Sequence, residues 1–400
     1  MPGHVVLGVG GGIAAYKACE LLRLLTESGH SVRVVPTASA LAFVGAPTWA
    51  ALSGQPVASD VWSDVHEVPH VRLGQQADLV VVAPATADLL ARAAHGLADD
   101  LLTNILLTAR CPVVLAPAMH TEMWEHPATV QNVATLRRRG VLVIEPASGR
   151  LTGADTGKGR LPDPAEIFAV ARRALARPAG TADLAGRRVV VTAGGTREPL
   201  DPVRFLGNRS SGKQGYAFAR SAVARGAKVT LVTANVTLAE PAGVELVRVG
   251  TTAELRAATV EAAAGADAVV MAAAPADFRP ATYAAEKIKK AGDGSAPTLP
   301  LVTNPDIAAE LGERRTPGQV LVVFAAETTD AEANARGKLA RKKADLIVVN
   351  VVGEDRVFGA DTNAAIVLGA DGSRLELPEQ AKEDLADRVW DLVVARLSDR

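Results

Sequence analysis

Cysteine is nearly missing from this chain. Cys19 and Cys111 are the only two in 400 residues. That is too few for a disulfide framework, and metal-ligand spacing is absent, so both read as small buried hydrophobes. Aromatic residues make up 4% of the chain, too few for the stacking platforms of single-strand nucleic-acid binders. Neither sign of charge is in excess. The formal net charge is -1, so no global field draws the chain to nucleic acid or to an anionic membrane. No apolar run reaches the roughly 18 residues of a membrane span. Met1–Gly12 reads as a strand entering a glycine turn rather than as a secretory signal, which needs a basic start, an apolar stretch and a cleavage site. These absences point to a cytoplasmic protein with neither nucleic acid nor membrane as partner.

What is present is an α/β pattern that runs twice. The chain is 48% hydrophobic and long enough for two domains with real cores. Valine-rich runs at His4–Val9, Ser31–Val35, Asp78–Ala83, Pro112–Ala116 and Val141–Ile144 are continuous rather than alternating. Such runs are strands buried on both faces, as in a parallel sheet covered by helices. Helices are predicted between them, among them Ile13–Ser28 and Thr121–Arg139, with Gly29 and Gly140 placed for left-handed C-caps. Pattern is lost over Ala176–Gly186, read as the linker between domains 1–178 and 187–400. The cycle restarts with strands at Val189–Thr192, Lys228–Val232, Val244–Val249, Ala268–Ala272, Val320–Phe324 and Leu346–Asn350. Helices are predicted at Gly212–Arg225, Thr252–Ala264 and Asp330–Lys343. Pro280–Thr298 reads as a mobile loop, and Asp371-Gly372 as the turn of a closing hairpin. The fold class expected is α/β, with two Rossmann-like parallel-sheet domains.

In the first half, Gly10-Gly11-Gly12-Ile13-Ala14-Ala15 joins strand to helix. Glycines there let backbone N–H groups approach a phosphate at a helix N-terminus. A nicotinamide enzyme would also want a carboxylate at the end of the second strand. This strand runs into Thr37, a hydroxyl, so a phosphate is expected and NAD is not. Two further strand ends carry Pro84-Ala85-Thr86-Ala87-Asp88 and Pro117-Ala118-Met119-His120, small residues and prolines suited to a flat ring against backbone.

Gly11–Lys17, Pro84–Asp88 and Pro117–Trp124 resemble the motifs of the flavin-containing cysteine decarboxylases. The resemblance implies FMN, held by Gly10, Gly11, Gly12, Thr37, Pro84, Ala85, Thr86, Ala118 and Met119. It also implies oxidative decarboxylation of 4'-phosphopantothenoylcysteine to 4'-phosphopantetheine, with His70 as the catalytic histidine, an imidazole suited to proton transfer near neutrality. This chain departs from the family in three places. Gly10 stands where a serine is usual, His120 where an asparagine is usual, and Gly153 where the substrate clamp carries a cysteine acid. His120 is therefore the candidate to supply or relay the proton.

In the second half, Thr192–Pro199 follows the first strand, and Gly207-Asn208-Arg209-Ser210-Ser211-Gly212-Lys213-Gln214 nearly spells a P-loop. Gln214 replaces the magnesium-binding hydroxyl, and the loop lies well away from its strand. It reads instead as a glycine-rich helix N-terminus binding phosphate through backbone amides. These stretches, with Ala274–Phe278, Glu286–Lys290 and Phe324–Thr328, resemble the CTP-dependent phosphopantothenate–cysteine ligases. The resemblance implies attack of the 4'-phosphopantothenate carboxylate on CTP, then transfer of the acyl group from the acyl-cytidylate to cysteine. Asn208 would hold that intermediate, Lys287 would act in forming it and Arg204 in consuming it. Ser210, Ser211 and Gly212 would cradle substrate phosphate. Ala274, Asp277, Asp306, Phe324, Lys338 and Lys342 would hold the nucleotide, with Mg²⁺ at Asp277. Together the halves resemble the bifunctional coenzyme A biosynthesis family, whose trimer and dimer contacts imply a homo-oligomer, a dodecamer. The alternative is an active ligase whose flavin domain serves mainly as an oligomerising scaffold.

Overall fold

The computed structural model describes residues 3–57, 69–151, 155–176, 182–289, 298–327, 330–351 and 360–398. Gly153 and Thr328 lie outside them. The chain divides into two compact units, Met1–Asp183 and Leu184–Arg400.

The first unit is built on five parallel strands, β1 (His4–Val9), β2 (Ser31–Pro36), β3 (Leu79–Ala85), β4 (Val113–Pro117) and β5 (Leu142–Val143), in the order β2-β1-β3-β4-β5. Alternate residues feed two cores. Val5, Leu7 and Val9 pack with Leu21, Leu22 and Leu25 of α1 (Ala18–Glu27) and Ile167 of the last helix. Val6, Val80 and Val82 pack on the other face with Leu89, Leu102 and Ile105. Burial on both faces explains why the strands lack alternation. The covering helices are α2 (Ala38–Leu41), α3 (Ala46–Ser53), α4 (Pro69–Gln76), α5 (Ala87–His95), α6 (Leu101–Thr108), α7 (Thr121–Glu125), α8 (Pro127–Arg138) and α9 (Pro164–Ala176). An antiparallel ribbon, β6 (Ala147–Arg150) with β7 (Thr156–Arg160), precedes α9. Cys19 and Cys111 pack half-buried at the two cores rather than fully inside them.

Two predicted helices are corrected. Thr121–Arg139 is interrupted because Pro127 disfavours helical backbone at His126, which is extended and accepts the Ala128 N–H on Nδ1 at 3.2 Å. Ile13–Ser28 begins as a 3₁₀ turn over Ile13–Lys17 before α1.

The main sheet of the second unit has eight described strands in the order β12-β11-β8-β13-β16-β17-β18-β19. They are β8 (Arg188–Gly194), β11 (Lys228–Ala234), β12 (Val244–Val249), β13 (Ala268–Met271), β16 (Val320–Glu327), β17 (Leu346–Val351), β18 (Thr362–Gly369) and β19 (Arg374–Ala381). The last two run antiparallel and form the predicted hairpin, its turn held by the Ser373 N–H on the Asp371 carboxylate at 2.9 Å. On one face α10 (Lys213–Ala224) and α14 (Lys382–Ser398) bury Phe218 and Trp390. On the other lie α11 (Thr252–Ala263), α12 (Ile307–Arg314) and α13 (Ala331–Arg341). Two short antiparallel ribbons, β9 (Arg197–Pro199) with β10 (Phe205–Gly207) and β14 (Phe278–Pro280) with β15 (Leu301–Thr303), escaped the sequence reading. Three-residue strands are too short to show a period.

In each unit the chain leaves its first strand for a neighbour on one side, then crosses to the other. Those switch points lie between β1 and β3, and between β8 and β13. Ligands of open α/β sheets bind outside the carboxyl ends of strands at such points.

Candidate active sites

In the first unit the glycine turn sits at the switch point. The Gly10 N–H donates to the Pro84 carbonyl at 3.0 Å. A Cβ at Gly10 would lie 2.5 Å from that oxygen, and one at Gly11 would lie 2.3 Å from Ser39 Cβ. Packing inside the protein therefore accounts for both. Gly12 is different. Its backbone is extended, with φ 173°, and nothing lies within 4 Å of where its Cβ would be. The protein itself places no demand for glycine there, and the open space is what an approaching phosphate needs. Thr37 Oγ1 accepts the Ala40 N–H at 3.2 Å, capping α2 while keeping its own proton to donate. Thr86 caps α5 in the same way through Leu89, also at 3.2 Å. The Ala118 N–H donates to Ala85 at 3.2 Å, which joins the third and fourth strand ends. Gly10–Gly12, Pro84–Thr86 and Ala118–Met119 are thus brought to one edge, beside Thr37.

The β6–β7 ribbon lies on the loop after β4. The Met119 N–H donates to Gly159 at 3.0 Å. Cβ atoms at Gly157 and Gly159 would fall 2.3 Å from Thr121 Oγ1 and 2.2 Å from the Met119 carbonyl, so only glycines permit this approach. His120 is half-exposed, with Nδ1 3.8 Å from the Asp155 carboxylate at the ribbon's tip. Burial would raise the Glu145 carboxyl, but Arg137 and Lys158, both at 2.7 Å, overcome it and hold the group below its ordinary value. Glu145 thereby anchors the ribbon through Lys158.

His70 stands in the first turn of α4. Its carbonyl accepts the Thr108 hydroxyl at 2.9 Å, and Gly74 lets α4 press on the same threonine. The imidazole Nδ1 is buried with no hydrogen-bond partner among the described residues. Such an orphan is costly unless a ligand or another chain meets it. No described hydrogen bond joins His70 to the glycine turn.

In the second unit two glycine loops converge on Val236. Gly194 (φ 84°) and Gly212 (φ 76°) each adopt the left-handed region, and a Cβ on either would lie 2.5 Å from Val236 Cγ2. Gly195 pairs with Ala274, and Asn208 Nδ2 donates to the Pro275 carbonyl at 2.8 Å. The Asn304 N–H donates to the Asp277 backbone carbonyl at 2.8 Å. Asn208, Ala274 and Asp277 therefore stand together at the switch point, with Asp277 exposed. Ser210 and Ser211 accept the Gly212 and Lys213 N–H groups at 3.4 Å. Lys342 meets Asp306 at 2.7 and 2.9 Å. Burial opposes that carboxylate, yet the lysine and the Ala309 N–H hold it ionised below its ordinary value. Lys338 is half-buried one turn away. Phe324 turns its ring onto Phe218, edge-on at 5.6 Å, which directs the ring into the core. Gln214 bonds Lys382 and Asn363, so it ties α10 to α14 and β18 rather than serving a phosphate.

Sequence reasoning missed the buried network behind this site. Thr252 donates its N–H and hydroxyl to Glu198 at 2.8 and 2.7 Å. Its oxygen must then accept from Thr196, at 2.9 Å, and Thr196 in turn accepts the Ala276 N–H at 2.8 Å. This directional chain sets the Ala274–Asp277 loop. Its residue types are ordinary in sequence, and only burial marks them. The described part of the predicted mobile loop is tied down as well: the Ala284 N–H donates to Leu200 at 3.0 Å and the Ile288 N–H to Asp201 at 3.1 Å.

Two α/β units, each with a glycine-rich turn at the switch point of its sheet, define a protein of the doubly wound, ligand-binding class. Residues 2–175 match the family described as Flavoprotein, and residues 184–397 match the DNA/pantothenate metabolism flavoprotein C-terminal domain. A coenzyme A biosynthesis bifunctional protein CoaBC from Mycobacterium tuberculosis is 59% identical over 409 residues, covering 100% of this chain and 98% of the relative. The Bacillus subtilis protein of that name is 43% identical over 396 residues, covering 98% and 97%. A solved C-terminal domain of such a protein is 35% identical, covering 55% of this chain and 99% of that one, with TM-score 0.47. This chain belongs to the CoaBC family of coenzyme A biosynthesis bifunctional proteins. It is an enzyme with a flavoprotein decarboxylase half and a ligase half, and matches over both halves disfavour the scaffold-only alternative.

Proposed function

We propose that the second unit uses CTP to activate 4'-phosphopantothenate as an acyl-cytidylate and passes it to cysteine. The first unit then decarboxylates the product to 4'-phosphopantetheine. The observation that carries the ligase assignment is the meeting of Asn208, Ala274 and Asp277 at the β8–β13 switch point. Asn208 would hold the acyl-cytidylate. Lys287 would neutralise charge as pyrophosphate leaves, and Arg204 would assist the amine attack. Asp306, Lys338, Lys342 and the backbone at Phe324 would hold the nucleotide. Asp277 is the ligand offered to Mg²⁺. The triphosphate would bring that metal with it.

In the first unit the open space at Gly12 and the orphaned His70 Nδ1 fit FMN and its substrate. The bound flavin would supply the two-electron oxidation and its reversal. His70 would move the proton. His120, set at the ribbon's tip by Asp155, would return one where Gly153 cannot. Because no described bond joins His70 to its own turn, assembly around a trimer, with each His70 facing a neighbour's flavin, is part of this reading. Exposed apolar residues on the short ribbons and the turn between β9 and β10, Val203, Phe205, Phe278 and Leu301 among them, suit a dimer contact in the second unit. The two contacts would close a dodecamer. Among the described residues no helix is long and apolar enough to cross a membrane, and a cytoplasmic site of action is proposed with the pathway.

The test supplies 4'-phosphopantothenate, cysteine and each nucleoside triphosphate in turn, following pyrophosphate and carbon dioxide together. Both products should appear with CTP. Pyrophosphate without carbon dioxide would remove the decarboxylase step, and equal rates with ATP would remove the nucleotide assignment.

A further inference from the structure

Asp201 is a carboxylate with a fully buried side chain, in a loop otherwise open to solvent. It accepts five hydrogen bonds. Oδ1 takes the Val203 and Arg204 N–H groups, both at 2.8 Å. Oδ2 takes Arg204 Nε at 3.0 Å, Arg204 Nη2 at 2.6 Å and the Ile288 N–H at 3.1 Å. Arg204 Nη2 also donates to the Ile288 carbonyl at 2.7 Å. Both backbone groups of Ile288 are therefore gripped, one by the carboxylate and one by the guanidinium paired with it. The Ala284 N–H is fixed on Leu200 of the same loop. Between these two anchors lies Lys287, exposed and in neither helix nor strand.

We infer that Asp201 is a positioning residue for Lys287: with Arg204 it clasps the backbone of Ile288 and so holds the lysine where the nucleotide binds. The inference rests on the reading of Lys287 given above. A segment without regular structure has little else to fix it, and a misplaced charge of about 1 Å can cost on the order of a hundredfold in rate. Burial of the carboxylate is tolerated because every lone pair direction meets a donor. Arg204 holds Asp201 ionised far below the ordinary carboxylate range, so the clasp persists at any working pH. The arrangement also gives Arg204 work in the first half-reaction, before any cysteine is present.

Asp201→Asn is the test. The amide oxygen still caps Val203 and Arg204, but its NH₂ faces the Ile288 N–H and the guanidinium, donor against donor. The single-turnover rate of pyrophosphate release from CTP and 4'-phosphopantothenate should fall about tenfold, with the CTP concentration for half-maximal rate within about twofold. The double variant with Lys287→Ala should be no slower than Lys287→Ala alone, since both act through one group. Trypsin cleavage after Lys287 in the unliganded protein should speed up about tenfold. Arg204→Lys, assayed without cysteine, should show the same loss, and it serves if the asparagine variant does not fold. Multiplying effects in the double variant, or an unchanged cleavage rate, overturn the inference. If Lys287→Ala alone leaves pyrophosphate release intact, the lysine's assignment falls and the inference falls with it. The cleavage rate would still report whether Asp201 holds the segment, which separates the two failures.

Discussion

At Gly10 packing leaves no room for a side chain. The Pro84 carbonyl occupies the place a Cβ would need. Gly10→Ser should push that carbonyl away and loosen the turn, weakening flavin retention, read as the flavin absorbance of purified protein. His120 faces Asp155. His120→Asn should slow formation of the reduced product while ligation continues; full net conversion to 4'-phosphopantetheine would remove the histidine as proton source. Asp201, Glu145 and Asp306 are all held below their ordinary carboxylate values. For groups depressed on folding, the stabilisation is present above the unfolded value, about 4. It is lost as pH falls through the lower folded values. Urea midpoints should therefore be flat from neutrality to about pH 5 and fall below about pH 4. Asp306→Asn should reduce that acid slope.

At the scale of elements, close approach decides more than propensity. The β6–β7 ribbon reaches the loop after β4 only through glycines. Gly159→Ala would set a methyl 2.2 Å from the Met119 carbonyl. The expected result is a lifted ribbon, with carbon dioxide release reduced about tenfold or more and pyrophosphate release unchanged. The sheet strands were legible because valine runs buried on both faces leave a plain signal. The ribbons β9–β10 and β14–β15 were not, since three residues carry no period. The break at His126 was legible in principle, as Pro127 stands in the sequence, but the apolar pattern runs across it.

For the whole molecule, each unit carries its own core on both faces of its sheet. The second unit begins before Arg187. Leu184 is completely buried in its core, and its N–H donates to Arg225 at 3.0 Å. A second unit begun at 187 should be less stable than one begun at 182 by about 2–4 kcal/mol, the cost of removing a buried leucine. Equal denaturation midpoints would show that the segment contributes nothing.

The sequence alone determined two α/β cycles, the two glycine turns, the exclusion of a standard P-loop and the residues of the family motifs. These are local properties, carried by period, spacing and residue type. Tertiary structure decided the rest. It separated Gly12, open to a ligand, from Gly10 and Gly11, which packing demands. It turned Phe324 and Gln214 into the fold, buried the His70 Nδ1 without a partner among the described residues, and tied down the loop that bears Lys287. It also revealed Thr196, Glu198, Thr252 and Asp201. The reason is physical: a buried polar side chain takes its meaning from the donors and acceptors that folding brings to it, and these lie as far apart in sequence as Asp201 and Ile288.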